Sequence, residues 1–243
     1  MENKSRVILF DELRGVSILS MLLYHLCYDL AVLFGVGGMQ WFFSPAASLW
    51  QLCICGAFIF VAGACCSYSK NNLRRGLRLF LLGMLFTVVT AVVMPDQLIV
   101  FGLLHFLGVA VLVSIPCRRA FAHIKPSLGV AVGLVLFWLT YHVQSGWIGV
   151  SPTLSVQLPR LLYRTNWLCF LGFYNQDFAS ADFFPLLPYL FLFWAGLFSS
   201  RLKLPSCFYR SHCRPLAFLG RNSLWIYLFH QPVLYLVLWL IFA

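Results

Sequence analysis

Residues 14–34 read RGVSILSMLLYHLCYDLAVLF, an apolar run interrupted by Arg14, His25 and Asp29. At about 1.5 Å per residue such a run reaches about 30 Å as a helix, the thickness of a bilayer's hydrocarbon core. Asp11, Glu12 and Arg14 adjoin the run, and no small-residue cleavage site follows it. The segment is therefore expected to stay as a first membrane helix and not to leave as a signal peptide. Further runs at roughly 46–68, 79–95, 98–116, 127–145, 183–200 and 218–242 repeat the pattern. A shorter apolar piece, Trp167 to Phe173, is too brief to span and reads as re-entrant or interfacial.

Composition agrees. Of 243 residues, 61% are hydrophobic and 10% charged, whereas a soluble domain has about 45–50% and about 25%. The mean hydropathy is +0.87. A soluble domain, a disordered chain and a disulfide scaffold are excluded. No repeat or long linker divides the chain, so the expectation is one all-α integral membrane domain over residues 1–243. It is a polytopic bundle of about seven transmembrane helices plus the short re-entrant or interfacial piece.

The net charge of +10 would suggest nucleic acid in a soluble chain. Here the basic residues are dispersed between apolar runs, and nucleic acid is not an expected partner. With the N-terminus inside, Lys4, Arg6, Lys70, Arg74, Arg75, Arg78, Arg118, Arg119, Lys125, Arg201, Lys203, Arg210 and Arg214 all fall on the cytoplasmic side, with Arg14 and Arg221 at inner helix ends. Of 17 Lys and Arg only Arg160 and Arg164 land outside. This bias sets the orientation, N-terminus cytoplasmic and C-terminus extracytoplasmic. The nine cysteines lack metal-site spacing and read as small hydrophobes. The outer stretch from about 146 to 182, with Trp147, Tyr163, Trp167 and Tyr174, reads as a lid or vestibule.

Ionisable groups within spans usually face a bundle interior or a water-filled cavity. Here they form two tiers. Arg14 and Arg221 lie at the inner surface. His25, about 16 Å beyond Arg14, His230, about 13 Å beyond Arg221, and His105, about 10 Å from the outer end of its helix, share a deeper level. His25 and Asp29 are at i, i+4 and can meet, an arrangement that would fix the imidazole's tautomer for general-base work. Gly15 and Gly220 permit close approach to the backbone. Asn222 or Ser223 can cap the last helix, whose N-terminus attracts anions, so the inner tier suits a phosphate-bearing ligand. His142, His123 and His212 read as interfacial or loop residues.

Four motifs in order resemble the heparan-alpha-glucosaminide N-acetyltransferase catalytic-domain family, particularly its short bacterial members. They are Phe10-Asp11-Glu12-Leu13-Arg14-Gly15 with Tyr24-His25 and Tyr28-Asp29; Phe101-Gly102-Leu103-Leu104-His105; Ala181-Asp182-Phe183-Phe184-Pro185; and Gly220-Arg221-Asn222-Ser223 with Tyr227 and His230-Gln231-Pro232. The resemblance implies a transmembrane acyltransferase of the bacterial inner membrane. It would move an acetyl or other acyl group from cytoplasmic acyl-CoA, acetyl-CoA first, to an amine or hydroxyl of an extracytoplasmic glycan or small molecule. On that reading Arg14, Gly15, Arg221, Asn222 and Ser223 bind the acyl-CoA. His25 is the base, Asp29 orients it, and His105 or His230 donates to the developing oxyanion. Asp182, Tyr227 and Gln231 bind the acceptor, and no metal is expected. The expected partners are acyl-CoA, the acceptor, the lipid bilayer and, in a homodimer, a second copy of the chain. The lysosomal members place a catalytic histidine between the first two helices, whereas residues 35–45 here contain none, and His25 is the substitute with His105 second. A proton-coupled transporter using the same His, Asp and Arg residues is the alternative, and a haem protein with two of the three histidines as axial ligands is a further one.

Overall fold

The computed structural model describes residues 7–242; Lys4 and Arg6, assigned above to the cytoplasmic side, lie outside the described residues. The α-helices there are α1 (Ile8–Tyr28), α2 (Pro45–Cys65), α3 (Asn72–Val93), α4 (Leu103–Ala122), α5 (Pro126–Thr140), α6 (Leu186–Ser199), α7 (Arg214–Arg221) and α8 (Ser223–Phe242). A hairpin of β1 (Trp147–Ser151) and β2 (Leu154–Gln157) is added to them. Six segments, Ile8–Leu33, Pro45–Tyr68, Asn72–Val93, Leu103–Ala122, Pro126–Ser145 and Ser223–Phe242, are long and apolar enough to cross a membrane. The protein is a mainly helical integral membrane protein.

The span expected at 183–200 is the shorter α6. Its 14 residues rise about 21 Å, short of the hydrocarbon thickness. Proline sets this limit. A residue before proline is pushed out of the helical region, and Leu187, preceding Pro188, has φ −94° and ψ 125°. The last expected span, 218–242, is divided, because Asn222 ends α7 with φ −98° and ψ 11° before α8 begins. Arg74, Arg75 and Arg78, expected on the cytoplasmic side, lie in the opening turns of α3, whose N-terminus the Asn71 side chain caps by accepting from the Arg74 N–H at 2.9 Å.

The chain forms two compact units. One runs up to Val61 and resumes at Lys203; the other is Ala62–Leu202. In the first unit α1 packs on α7 and α8. A Cβ on Gly220 would come within 1.7 Å of the Asp11 carbonyl oxygen, and one on Gly15 within 2.0 Å of the Leu216 oxygen. The α1–α7 crossing is therefore backbone on backbone, the mode by which small residues join helices in lipid. Beside it Ile18, Met21 and Ile54 form a core covered by Trp50, Phe58, Ile226 and Tyr227.

In the second unit α3 packs on α4, and α5 on α6. The stretch expected as a lid or vestibule carries the hairpin, in register Trp147 to Gln157 and Ile148 to Val156. The Tyr163 hydroxyl donates to the Val143 carbonyl and ties the loop down. Burial, with Tyr174 nearby, holds that hydroxyl protonated above the ordinary phenol range. Within the piece from Trp167 to Phe173 the chain makes only a short 3₁₀ turn, Cys169–Leu171.

Candidate active site

The polar residues of the first unit meet between α1 and α8. The His25 and His230 rings lie edge to face with centroids 4.6 Å apart, too close for a haem plane to sit between them as axial ligands. His230 Nδ1 is 2.7 Å from the Tyr227 carbonyl oxygen. A carbonyl can only accept, so Nδ1 carries the proton and Nε2 of the neutral ring keeps its lone pair. That Nε2 is buried and has no hydrogen-bond partner among the described residues. Tyr227, expected to touch the acceptor, thus also supplies the carbonyl that sets the His230 tautomer, and its ring tilts against the imidazole at 5.6 Å.

One turn beyond His25, Asp29 is fully buried. Its Oδ1 accepts from Gln231 Nε2 at 2.6 Å. The expected His25–Asp29 hydrogen bond is not formed; the bonded oxygen of Asp29 is taken by Gln231 on α8. Asp29 also opens a π-helical turn, Asp29–Leu33, in which the Phe34 N–H reaches back to the Asp29 carbonyl at 2.9 Å. Such turns recur at functional sites. The outer oxygens, Asp29 Oδ2 and Gln231 Oε1, are buried without partners among the described residues.

The inner tier is also gathered in this unit. Gly15 and Gly220 make the α1–α7 crossing, so the adjacent Arg14 and Arg221 flank it. Arg14 lies 3.7 Å from Asp11 Oδ1, while Arg221 is exposed at the end of α7. The Asn222 side chain does not cap α8 as expected; its amide donates back to the Phe218 carbonyl at 2.9 Å, and Ser223 is buried. Glu12, unassigned in the sequence reading, is buried and its Oε1 accepts from Ser211 Oγ, His212 N and Cys213 N at 3.1, 2.7 and 2.8 Å. The two backbone N–H groups and the Ser211 hydroxyl belong to the segment that enters α7, so Glu12 acts as its N-terminal anchor. The signal available for it was a glutamate beside Asp11 and Arg14 at the edge of the first apolar run.

His105 and Asp182 belong to the second unit. Asp182 Oδ2 accepts from the Leu103 N–H at 3.0 Å and caps α4, the helix of His105, from a distant segment. The preceding residue pair bends sharply; Phe101 has φ 56°, a strained value for a bulky side chain. Its ring stacks over His105 at 5.9 Å. His105 Nε2 is 3.4 Å from Thr87 Oγ1, whose own proton goes to the Ile99 carbonyl at 2.7 Å. Nε2–H therefore donates to Thr87, which occupies the hydrogen expected to serve an oxyanion. Thr87 was not found from sequence, because a threonine in an apolar helix carries no pattern that points to a histidine. A surface groove of about 700 Å³ along α3, lined by leucines with Arg74 and Arg78, also belongs to this unit.

Among the described residues no group of three His, Cys, Asp or Glu is placed to hold a metal ion. The family described as heparan-alpha-glucosaminide N-acetyltransferase, catalytic, matches residues 6–232. No curated protein and no solved structure matches the chain.

Proposed function

Because the chain belongs to the heparan-alpha-glucosaminide N-acetyltransferase catalytic family, we propose that this membrane acetyltransferase carries an acetyl group from cytoplasmic acetyl-CoA to an amine presented across a bacterial inner membrane. The observation that supports the reading most is the His230 tautomer. With Nδ1–H committed to a backbone carbonyl, Nε2 is a base in the correct protonation state, buried beside a second imidazole. His230 then takes the role first given to His25.

Arg14 and Arg221 grip the nucleotide phosphates at the α1–α7 crossing. The pantetheine arm follows α1 inward, about 16 Å of helix rise, towards His25. The amine nitrogen attacks the thioester carbonyl carbon; an N–C bond forms and the C–S bond breaks. Nε2 of His230 takes the proton that the nitrogen sheds and returns it to the departing sulfur. His25 donates a hydrogen bond to the oxyanion while the adduct lasts. An amino sugar is the acceptor the family name favours. The test is transfer by purified protein from labelled acetyl-CoA to glucosamine. His230→Gln is expected to lower kcat by about 10²–10⁴ while calorimetry still shows acetyl-CoA binding. Solute uptake into liposomes without acetyl-CoA binding would favour a transporter instead.

A further inference from the structure

Resting on that reading, we propose that Asp29 and Gln231 are the specificity-determining pair of the site, holding the acceptor through its hydrogen-bond donors and its positive charge. Buried polar atoms in native proteins are nearly always hydrogen-bonded, and each exception calls for a physical account. Here three exceptions fall on neighbouring groups: Asp29 Oδ2, Gln231 Oε1 and His230 Nε2. His230 and Gln231 are consecutive on α8. Asp29 bonds to Gln231 at 2.6 Å, and His25, one turn before Asp29, touches the His230 ring. All three atoms are acceptors. The group that satisfies them brings donors.

Charge narrows the choice. Asp29 is fully buried, and a buried carboxylate is costly without a compensating cation. The basic side chains nearest along its two helices are His25 and His230, and among the described residues neither is hydrogen-bonded to Asp29; the bonded neighbour, Gln231, is neutral. The positive charge therefore comes with the ligand. A primary ammonium supplies three donors and one positive charge in a compact group, which matches one carboxylate oxygen, one amide oxygen and one imidazole nitrogen. A hydroxyl supplies one donor and no charge. Before attack the ammonium loses its extra proton to water, so each amide formed from an ammonium releases one H⁺ overall, with CoA leaving as the thiol.

Gln231 has a second part. Its Nε2–H fixes Asp29 Oδ1, which leaves Oδ2 as the oxygen turned to the ligand. It is a positioning residue for the carboxylate and a contact for the acceptor.

Asp29→Asn decides the matter, since it removes the charge and keeps the oxygen that accepts from Gln231. KM for glucosamine is expected to rise about tenfold or more, with kcat within a few-fold, and the variant's preference for glucosamine over glucose as a competing ligand is expected to vanish. An unchanged KM and an unchanged preference would overturn the proposal and leave Asp29 as a neutral structural carboxyl. If Asp29→Asn fails to fold, calorimetry on the wild type replaces it. Glucosamine is expected to bind more tightly than glucose by a similar factor, and equal binding of the two overturns the pair's role. Ammonium selection without any acetyl transfer would sink the acetyltransferase reading alone; transfer without that selection would sink only this one.

Discussion

His230 and Asp29 show how much a single hydrogen bond decides at the residue scale. His25 was the natural base from sequence, because a carboxylate four residues along a helix can orient it. The three-dimensional partner of His230 is a backbone carbonyl, which no sequence pattern announces. The partner of Asp29 is a glutamine some 200 positions away in sequence. Spacing and depth brought attention to His25, Asp29, His105 and His230, and the family resemblance to Gln231; the assignment of partners among them needed geometry. His230 must be unprotonated at Nε2 to act, so kcat is expected to climb with pH and then level off, following one ionisation. A kcat that falls as pH rises through neutrality would oppose the base role. His25→Ala is expected to cost less than His230→Ala in kcat, because one donor to an oxyanion is lost and not the proton acceptor; steady-state kinetics of both variants reads this directly.

Helices and their ends carry the next level. The motif around Arg14 and the motif around Arg221 read from sequence as one basic tier for a phosphate-bearing ligand, and their glycines are the seam that joins α1 to α7. Gly220→Leu would force backbones apart that now pass with no room for a Cβ; severe loss of folded protein is expected, read by size-exclusion profile and thermal unfolding in detergent. Glu12 anchors the entry to α7 with three hydrogen bonds. Bonds to a charged group contribute about 1.5–3 kcal/mol each before any loss of additivity. Glu12→Ala is thus expected to lower the unfolding midpoint clearly while leaving α3–α6 intact by proteolysis. Asp182 was legible as part of a family motif but not as the cap of a helix 79 residues earlier in the chain. Asp182→Asn is expected to reduce thermal stability, read by thermal unfolding in detergent, and a raised KM for the acceptor would support the substrate contact expected from the family motif.

Across the whole molecule, composition and apolar period established a helical membrane protein without reference to any partner. Six of the long helices were evident in the same way, since each needs only about 20 apolar residues. The short α6 and the α7–α8 break were not, because they rest on the backbone at Leu187, before Pro188, and at Asn222, which periodicity does not register. The orientation with the N-terminus inside is a proposal that rests on the basic residues alone. It is tested by labelling single cysteines introduced near Arg118 and near Arg164 in intact cells with an impermeant reagent, where only the second is expected to react. The central claim is that acetyl passes from CoA to an amine with His230 as base. Its most direct measurement is single-turnover transfer of labelled acetyl from acetyl-CoA to glucosamine by the protein in proteoliposomes, wild type against His230→Gln. Labelled N-acetyl product from the wild type, with the variant binding acetyl-CoA but failing to transfer, is the predicted result. Equal transfer by both proteins would contradict it.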